Sequence, residues 1–388
     1  MLPRTLALAA ALLVLGPTAA AVRADDAGNP APSPTRFRIH VKRAWGYIDA
    51  TGKVVIPARY DDAGAFADGR TSVVKGKHVG VIDETGKVVV PLAFEWLGGL
   101  AQDRRAARVS DKECGYLDAA GAWAFHLDGC KGASLGDFAD GLAAVVSDGK
   151  TRYVDPSGKV AFSIDGEGDG FESGVASVKV GDTRIAVDRT GAKLALPAGA
   201  DEYVGGFWDG KLAPLMIGRA CRGALCFGTW GVVDPSMKVV IAPQFRMAPQ
   251  FAEGLAAAIV DFDPGYGYID ATGKVVIPYQ FAQAEAFSEG RAWVADKAGR
   301  HALIDRTGAF IVPWRDDVQS TESFAHGLAA VKLTNGRYQV IDRSGAQVAL
   351  FPAGAIPAED QGDLVGYVTA AHKLVYLDHH GKTVWKEK

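Results

Sequence analysis

One four-residue motif recurs along almost the whole chain and constrains the fold more than any other feature. Each copy starts with an aspartate, and its fourth residue is glycine except in the sixth copy, where Met237 takes that place. The ten aspartates are Asp49, Asp83, Asp118, Asp155, Asp188, Asp234, Asp270, Asp305, Asp342 and Asp378. Successive spacings lie between 33 and 37 residues apart from one of 46. Self-similarity at this period indicates a tandem repeat protein, whose small units stack and share one continuous core.

Each aspartate motif lies between two short segments rich in β-branched residues. Trp45–Pro57 reads WGYIDATGKVVIP, and Tyr266–Pro278 repeats 12 of these 13 residues. Val and Ile on both sides of a glycine-bearing turn predict an antiparallel hairpin. The aspartate carboxylate can accept hydrogen bonds from amides one or two residues further on, and glycine tolerates a positive φ. The clearest predicted turn pairs are Asp49 with Gly52, Asp83 with Gly86, and Asp270 with Gly273.

A second signature, Phe-x-x-Gly, follows most of these hairpins and precedes an alternating apolar stretch. Its copies begin at Phe66, Phe138, Phe171, Phe207, Phe251, Phe287 and Phe324. The combined pattern predicts three or four antiparallel strands in about 36 residues, with no sustained helical period. We expect the phenylalanines and the Val-Val-Ile positions to form the core between units, because so small a sheet cannot bury both of its faces alone.

These two signatures together resemble the WG-repeat family, also called KWG repeats. The resemblance covers residues 37–388 as about ten units, although a literal Trp-Gly pair stands only at Trp45 and Trp230. It implies an all-β fold of tandem hairpin or meander repeats, generally without an assigned activity. A propeller-like ring is the favoured arrangement, partly because Leu374–Trp385 looks like a blade of the quinoprotein class. An open superhelical β array is the alternative, since ten units are many for a ring.

The amino-terminal residues are predicted to be a targeting segment outside the fold. Arg4 precedes an apolar stretch from Leu6 to Leu15, and small residues follow, so residues 1–24 are predicted to be a signal peptide cleaved after Ala24. Residues 25–36 are rich in Pro, Ala and Ser and are predicted to be a flexible leader. We therefore expect an exported protein, periplasmic or secreted. No later apolar run reaches the length of a membrane span.

The charge balance argues against nucleic acid as a partner. The chain carries 42 basic and 45 acidic residues, a formal charge of −3, and no strongly basic block. In an exported chain, the four cysteines are predicted to form two local disulfides, Cys114 with Cys130 and Cys221 with Cys226. A zinc site built from the same four is the alternative.

Two departures from the repeat are candidate sites. Asp165, Glu167 and Asp169 alternate with glycines and resemble the first half of a calcium-binding loop, although Ala176 stands where that loop needs a glutamate. The 46-residue spacing contains an insertion within Pro214–Thr229, and insertions in repeat proteins often lie on the binding face. The predicted partner-contact residues of this insertion are Met216, Arg219, Arg222 and Leu225.

The sequence predicts an exported binding or scaffold protein whose partner is a protein or a cell-envelope glycan. No catalytic motif stands out, so we expect no enzymatic activity and no cofactor except, on the acidic loop, calcium. Two alternatives remain open. One is a propeller-type periplasmic enzyme with an active site at one rim, and the other is a purely structural spacer.

Overall fold

A computed structural model describes residues 36–203, 206–207, 211–222, 225–358 and 362–388. The predicted signal peptide and all but the last residue of the predicted leader lie outside these residues. In the described residues the chain forms 38 β-strands, which pair into ten small antiparallel sheets. No helix of the described residues is long and apolar enough to cross a bilayer.

The first five sheets, called blades 1–5, follow one another along the chain. Blade 1 contains β1 (Phe37–Val41), β2 (Ala44–Ile48) and β3 (Val54–Tyr60); blade 2 contains β4 (Asp62–Ala63), β5 (Arg70–Lys75), β6 (His78–Asp83) and β7 (Val88–Phe94); blade 3 contains β8 (Trp96–Ala101), β9 (Arg104–Ser110), β10 (Glu113–Asp118) and β11 (Trp123–Leu127); blade 4 contains β12 (Ser134–Leu135), β13 (Ala143–Ser147), β14 (Lys150–Val154) and β15 (Val160–Asp165); blade 5 contains β16 (Glu167–Gly168), β17 (Val175–Val180) and β18 (Thr183–Asp188).

Blades 6–10 continue the same order. Blade 6 contains β19 (Ala200–Tyr203), β20 (Ala213–Arg222), β21 (Leu225–Val233) and β22 (Val239–Phe245); blade 7 contains β23 (Gln250–Ala252), β24 (Leu255–Ile259), β25 (Tyr266–Asp270) and β26 (Val275–Phe281); blade 8 contains β27 (Gln283–Ala284), β28 (Arg291–Ala295), β29 (His301–Asp305) and β30 (Phe310–Arg315); blade 9 contains β31 (Val318–Thr321), β32 (Leu328–Leu333), β33 (Tyr338–Asp342) and β34 (Gln347–Leu350); blade 10 contains β35 (Ile356–Pro357), β36 (Val365–Val368), β37 (Leu374–Leu377) and β38 (Thr383–Lys386).

The core is divided among the contacts between blades. Ten clusters of buried side chains each join two neighbouring blades, and one of them joins blade 10 to blade 1. In that closing contact the Tyr376 hydroxyl donates a 2.9 Å hydrogen bond to the Arg38 carbonyl, and the Tyr376 ring meets Phe37 edge-on. The fold is therefore a closed ten-bladed β-propeller. The predicted propeller is confirmed, and the alternative of an open array is excluded.

A tyrosine hydroxyl links several neighbouring blades in the same way. Tyr47 donates to the Gly64 carbonyl, Tyr116 to Gly136, Tyr153 to Asp169 and Tyr268 to Glu285, at 2.7–2.9 Å. Each tyrosine also packs a ring against the Phe-x-x-Gly phenylalanine of the next blade, as Tyr268 does with Phe287 at 4.8 Å between ring centroids. The predicted role of these phenylalanines between units is confirmed.

The repeated aspartate motif lies between the last two strands of each blade, except in blade 5, where it follows the last strand, β18. The Oδ1 atom of each of the ten aspartates accepts hydrogen bonds from the amides two and four residues further on, at 2.8–3.1 Å. The predicted bond to the amide one residue on does not form. The glycines adopt φ between 77° and 87°, and Met237 adopts φ 64° in the same turn.

Candidate binding surfaces

Each turn aspartate uses its Oδ1 atom for hydrogen bonds within its own hairpin. At Asp49, Asp83 and Asp270 the threonine hydroxyl two residues on donates at 2.6 Å, in addition to the two amides. These hydrogen bonds hold the pKa of each carboxyl below its usual value, since they favour the charged form. Gly52, Gly86 and Gly273 supply the left-handed turn residue. The ten carboxylates thus share one structural environment, and no pair of them is set apart as an acid and a base.

The three acidic side chains of the acidic loop have separate surroundings in the structure, and calcium binding there stays a prediction. The Asp169 carboxylate pairs with Arg184 at 2.6 Å, while Asp165 lies 3.7 Å from Lys150 in an exposed pair. Glu167 is exposed on the two-residue strand β16. Within the described residues, no group of three or more His, Cys, Asp or Glu side chains is arranged to hold a metal ion. The sequence places these acids at alternate positions, but the strand geometry directs them to separate partners.

The disulfide between Cys114 and Cys130 is present, as predicted. It joins β10 to the connection between blades 3 and 4, with a Cα–Cα distance of 5.7 Å. The Arg108 guanidinium donates to the carbonyls of Cys130 and Ala133 in the same connection. This long connection is therefore fixed both covalently and by hydrogen bonds. A zinc site that uses all four cysteines is excluded, because two of them are consumed in this bond.

The insertion of blade 6 forms a long hairpin. Strands β20 and β21 pair along their length, and the register places Cys221 directly opposite Cys226. This register agrees with the predicted second disulfide, which stays a prediction because the side chains of residues 219–227 lie outside the described part. The same holds for Arg219, Arg222 and Leu225 as partner contacts. Met216 is 8% exposed, so its side chain belongs to the core rather than to a contact surface.

An exposed apolar group lies on blade 7, at the hairpin between its second and third strands. Phe262 is 72% exposed and Met247 is 54% exposed, and these are the largest exposures among the described large apolar side chains. Val260 adds a smaller exposed area in the same hairpin. The Tyr266 hydroxyl donates to the Met247 sulfur at 3.0 Å, which joins the hairpin to the connection before β23. We call these four residues the blade 7 patch. Sequence reasoning missed it, although the run DFDPGYG interrupts the repeat.

A second group missed from the sequence lies between blades 3 and 4. Arg105 is 9% exposed and occupies a position where blades 2 and 4 have Thr71 and Ala143. Its Nη1 atom donates to the Gly98 carbonyl at 2.6 Å. Asp137 of blade 4 is exposed, yet desolvation by the surrounding protein raises its pKa, an effect that the Arg105 charge partly offsets.

Two carboxyl groups, one buried and one half-buried, lie near the contact between blades 8 and 9. Glu289 is 4% exposed and accepts a 2.7 Å hydrogen bond from the Gly327 amide of blade 9. Glu285 accepts a 2.7 Å hydrogen bond from the Thr321 hydroxyl. Burial raises the pKa of both groups, because it disfavours their charged forms. Both carboxyls bind a neighbouring blade, so their shifted pKa values have a structural explanation.

Comparison with protein families identifies the repeats. A family model described as WG containing repeat matches residues 45–77, 80–112, 230–261 and 266–296. The predicted resemblance is therefore confirmed in blades 1–3 and 6–8, which these segments cross. No curated protein sequence matches the chain.

Comparison with solved structures concerns the fold alone. The chain is similar to a structure titled crystal structure of the eukaryotic initiation factor, with a TM-score of 0.52, 10% identity, and coverage of 92% of this chain and 96% of the other. BamB from Moraxella catarrhalis gives a TM-score of 0.36, 12% identity, and coverage of 74% and 94%. Apo AztD from Citrobacter koseri gives 0.34, 11%, and coverage of 82% and 94%. Identities this low carry no statement about activity or partners.

Proposed function

We propose that this chain, a WG-repeat protein folded as a closed ten-bladed propeller, is an exported protein-binding scaffold. It acts by holding another protein on the blade 7 patch and not by catalysis. The observation that carries the proposal is the exposure of Phe262 and Met247, the two most exposed of the described large apolar side chains, which lie in blade 7 and in the connection that leads into it. Exposed apolar groups of this kind are typical of protein contact sites, where aromatic and methionine side chains are enriched.

The surroundings of the patch favour a protein partner. Asp261 and Asp263 flank Phe262, so the apolar group carries a polar rim, as interfaces do. Lys297 of blade 8 pairs with Asp263 at 2.8 Å and extends the rim onto the next blade. The rim and the apolar centre together match the general anatomy of a protein interface.

Absence of catalysis is part of the proposal. The carboxyls with raised pKa values are Asp137, Glu285, Glu289 and Glu322. Of these, Glu285 and Glu289 have structural partners on the next blade, and no nucleophile with an adjacent base stands out among the described residues. Export rests on residues 1–24, whose apolar run and small residues match a signal peptide. Mass spectrometry of the mature protein from its native host is expected to show Asp25 as the first residue.

Site-specific crosslinking tests the binding role. A photoreactive phenylalanine analogue replaces Phe262 in one variant and Phe310, which is 49% exposed on blade 8, in a matched control. After irradiation of intact cells, the Phe262 variant is expected to give a discrete adduct whose second component is one protein, identified by mass spectrometry. The control, also an exposed phenylalanine position, is expected to lack it.

Two results would reject the proposal. Identical adducts at both positions would mean that contact is non-specific, and no adduct at Phe262 would favour a structural spacer. Turnover of an envelope substrate by the purified protein would instead support the enzyme alternative.

A further inference from the structure

Blade 3 begins with a strand unlike those of its neighbours. β8 has six residues, whereas β4 and β12 at the same position in blades 2 and 4 have two each. The pairing of β8 with β9 shifts between Leu97 and Leu100, where Gly98 and Gly99 are inserted as a bulge. Trp96 at the start of this strand is 42% exposed, so one part of its indole is open to solvent. The longer strand therefore presents an aromatic surface that the repeat does not require.

The glycine pair makes room for a carboxylate beside this indole. A Cβ atom on Gly98 would lie 2.9 Å from Asp137 Oδ1 and 3.1 Å from the Trp96 ring atom Cη2. A Cβ atom on Gly99 would lie 3.0 Å from Asp137 Oδ2. The Asp137 carboxylate and the indole edge thus border the same small volume above Gly98. Any larger residue at either glycine would fill that volume.

Arg105 supplies hydrogen-bond donors next to the same volume. Only its Nη1 atom has a hydrogen bond within the described residues, to the Gly98 carbonyl. Its guanidinium carries further N–H groups, and its charge acts on Asp137 although the two side chains form no direct salt bridge in the described structure. The Asp137 carboxylate has its own hydrogen bond from the Gly99 amide, and both side chains keep further hydrogen-bonding capacity, acceptor on Asp137 and donor on Arg105.

We propose that Trp96, Arg105 and Asp137 form a binding subsite for a pyranose sugar. The apolar C–H face of the ring packs on the exposed indole. One hydroxyl donates to the Asp137 carboxylate and accepts from the Arg105 guanidinium, because a hydroxyl is both donor and acceptor. Hydrogen bonds in which one partner is charged are stronger than those between two neutral groups. Because a sugar offers only neutral hydroxyls, charged protein groups give it the stronger kind. The subsite is on blades 3 and 4 and is independent of the protein contact proposed for blade 7.

A purely structural role for Arg105 is the competing explanation. Blade 2 has Val81 where blade 1 has Tyr47, so no tyrosine hydroxyl of blade 2 can donate to the Gly98 carbonyl. The Arg105 guanidinium donates to that carbonyl instead. That role accounts for Arg105. It does not account for the exposed Trp96, and the hydrogen bond from the Gly99 amide holds the Asp137 carboxylate without using all of its acceptor positions. The test therefore uses Trp96 and Asp137, neither of which is needed to satisfy the Gly98 carbonyl.

Isothermal titration calorimetry with three defined trisaccharides tests the subsite. Cellotriose, maltotriose and chitotriose are each titrated into the full mature protein up to their solubility limits. At least one is expected to bind, and Trp96→Ala and Asp137→Ala are each expected to weaken that binding about tenfold or more, which corresponds to about 1.4 kcal/mol. Trp96→Phe, which keeps an aromatic face, is expected to retain part of the affinity. Phe310→Ala removes an exposed aromatic side chain elsewhere and is expected to leave binding unchanged.

The outcomes separate a sugar site from a structural cluster. Unchanged thermal midpoints for Trp96→Ala and Asp137→Ala, together with the loss of binding, support the subsite. Binding of none of the three sugars overturns it, and so does binding that Trp96→Ala leaves intact. The result does not bear on the crosslinking at Phe262, because the two sites share no residue.

Discussion

The contacts between blades 7 and 8 and between blades 5 and 6 occupy equivalent positions but use different side chains. In the first, Tyr268 donates its hydroxyl across the boundary, and Gly308 of the turn packs closely against Ile277 of strand β26. In the second, Ala186 stands at the tyrosine position and Met237 at the glycine position. Blade 5 also lacks a fourth strand within the described residues, keeping only a single bridge from Val187 to Lys193.

The difference shows why the turn needs glycine. In several blades, a Cβ atom at the turn glycine would approach the fourth strand of the preceding blade, at 2.5 Å for Gly52 and 3.3 Å for Gly86. Before blade 6 that strand is missing, and the Met237 side chain is buried at 5% exposure among Leu194, Leu196 and their neighbours. The methionine packs on the irregular segment of Leu194 and Leu196, which runs where the other blades have a regular fourth strand. A positive φ is therefore tolerated there because burial of the side chain offsets the strain.

The largest effect is expected from placing a methionine where the strand is present. Gly52→Met would direct a side chain at the Val384 carbonyl oxygen, 2.5 Å from the Cβ position, in a residue held at φ 83°. Steric overlap and backbone strain together are expected to cost about 4 kcal/mol. Gly381→Met is the matched control, since nothing lies within 4 Å of its Cβ position, and strain alone is expected to cost about 1 kcal/mol. Urea unfolding measures both, and equal losses would refute the role of the preceding strand.

The next effect concerns the methionine itself. Met237→Ala is expected to destabilise the protein by about 3 kcal/mol, because it leaves a cavity and keeps the strained φ. Met237→Gly removes the same side chain but relieves the strain, so it is expected to be about 1 kcal/mol more stable than Met237→Ala. At most positions a glycine variant is less stable than the alanine variant. If thermal melts show that usual order at residue 237, they contradict a strained left-handed backbone there.

A smaller effect is expected at the contact between blades 7 and 8, where the tyrosine hydrogen bond is present. Tyr268→Phe keeps the ring against Phe287 but leaves the Glu285 carbonyl without its donor, at an expected cost of about 1 kcal/mol. Tyr279→Phe in the same blade removes a hydroxyl for which the described residues offer no hydrogen-bond partner, and we expect little change. Chemical unfolding of the two variants in parallel measures the difference. Comparable losses would show that the hydroxyl does not stabilise the boundary.

The smallest expected effects are changes of stability with pH, which have opposite signs for Asp270 and Glu289. The lowered pKa of Asp270 means that its stabilisation is complete above the unfolded-state value and is lost as the pH falls through the folded pKa. The raised pKa of Glu289 means that the folded state favours its neutral form, so its contribution falls as the pH rises through the folded pKa. Stability of the native protein relative to Asp270→Asn should rise with pH, and relative to Glu289→Gln it should fall. Thermal midpoints of the native protein and both variants are measured across a pH series. If the two native-minus-variant differences change in the same direction with pH, one of the two pKa directions is wrong.

Much of the fold could be predicted from the repeated residues. The aspartate turns, the hairpins and the role of Phe287 and its equivalents follow from local chemistry that each unit repeats. A methionine in place of the turn glycine predicts a strained turn or one of another type, and the structure has the same turn with a positive φ at Met237. Its tolerance depends on a missing strand in the preceding blade. Sequence spacing alone does not reveal such a dependence, because it is a contact between units.

The candidate sites were less predictable for the same reason. Asp165, Glu167 and Asp169 are close in sequence, but the strands separate their carboxylates. Arg105 and Asp137 are distant in sequence, and only the contact between blades 3 and 4 brings them together. A signal for Arg105 was present in the alignment of the units, where a charged residue replaces Thr71 or Ala143. The role of Arg105 could not be read from that substitution, because it depends on the Gly98 carbonyl having no tyrosine donor.

The closing contact has a consequence for how the protein is made. Tyr376 and Arg38 are 338 residues apart in the chain, so blade 1 receives its second neighbour only after blade 10 has been synthesised. Until then, Phe37 and Ile39, which are almost fully buried in the finished ring, have no surface to pack against. Each other boundary can form as soon as its two adjacent units exist. Biosynthesis therefore leaves one apolar face of the earliest blade open for nearly the whole of translation, and protecting it until the ring closes is a task for the cell's folding machinery.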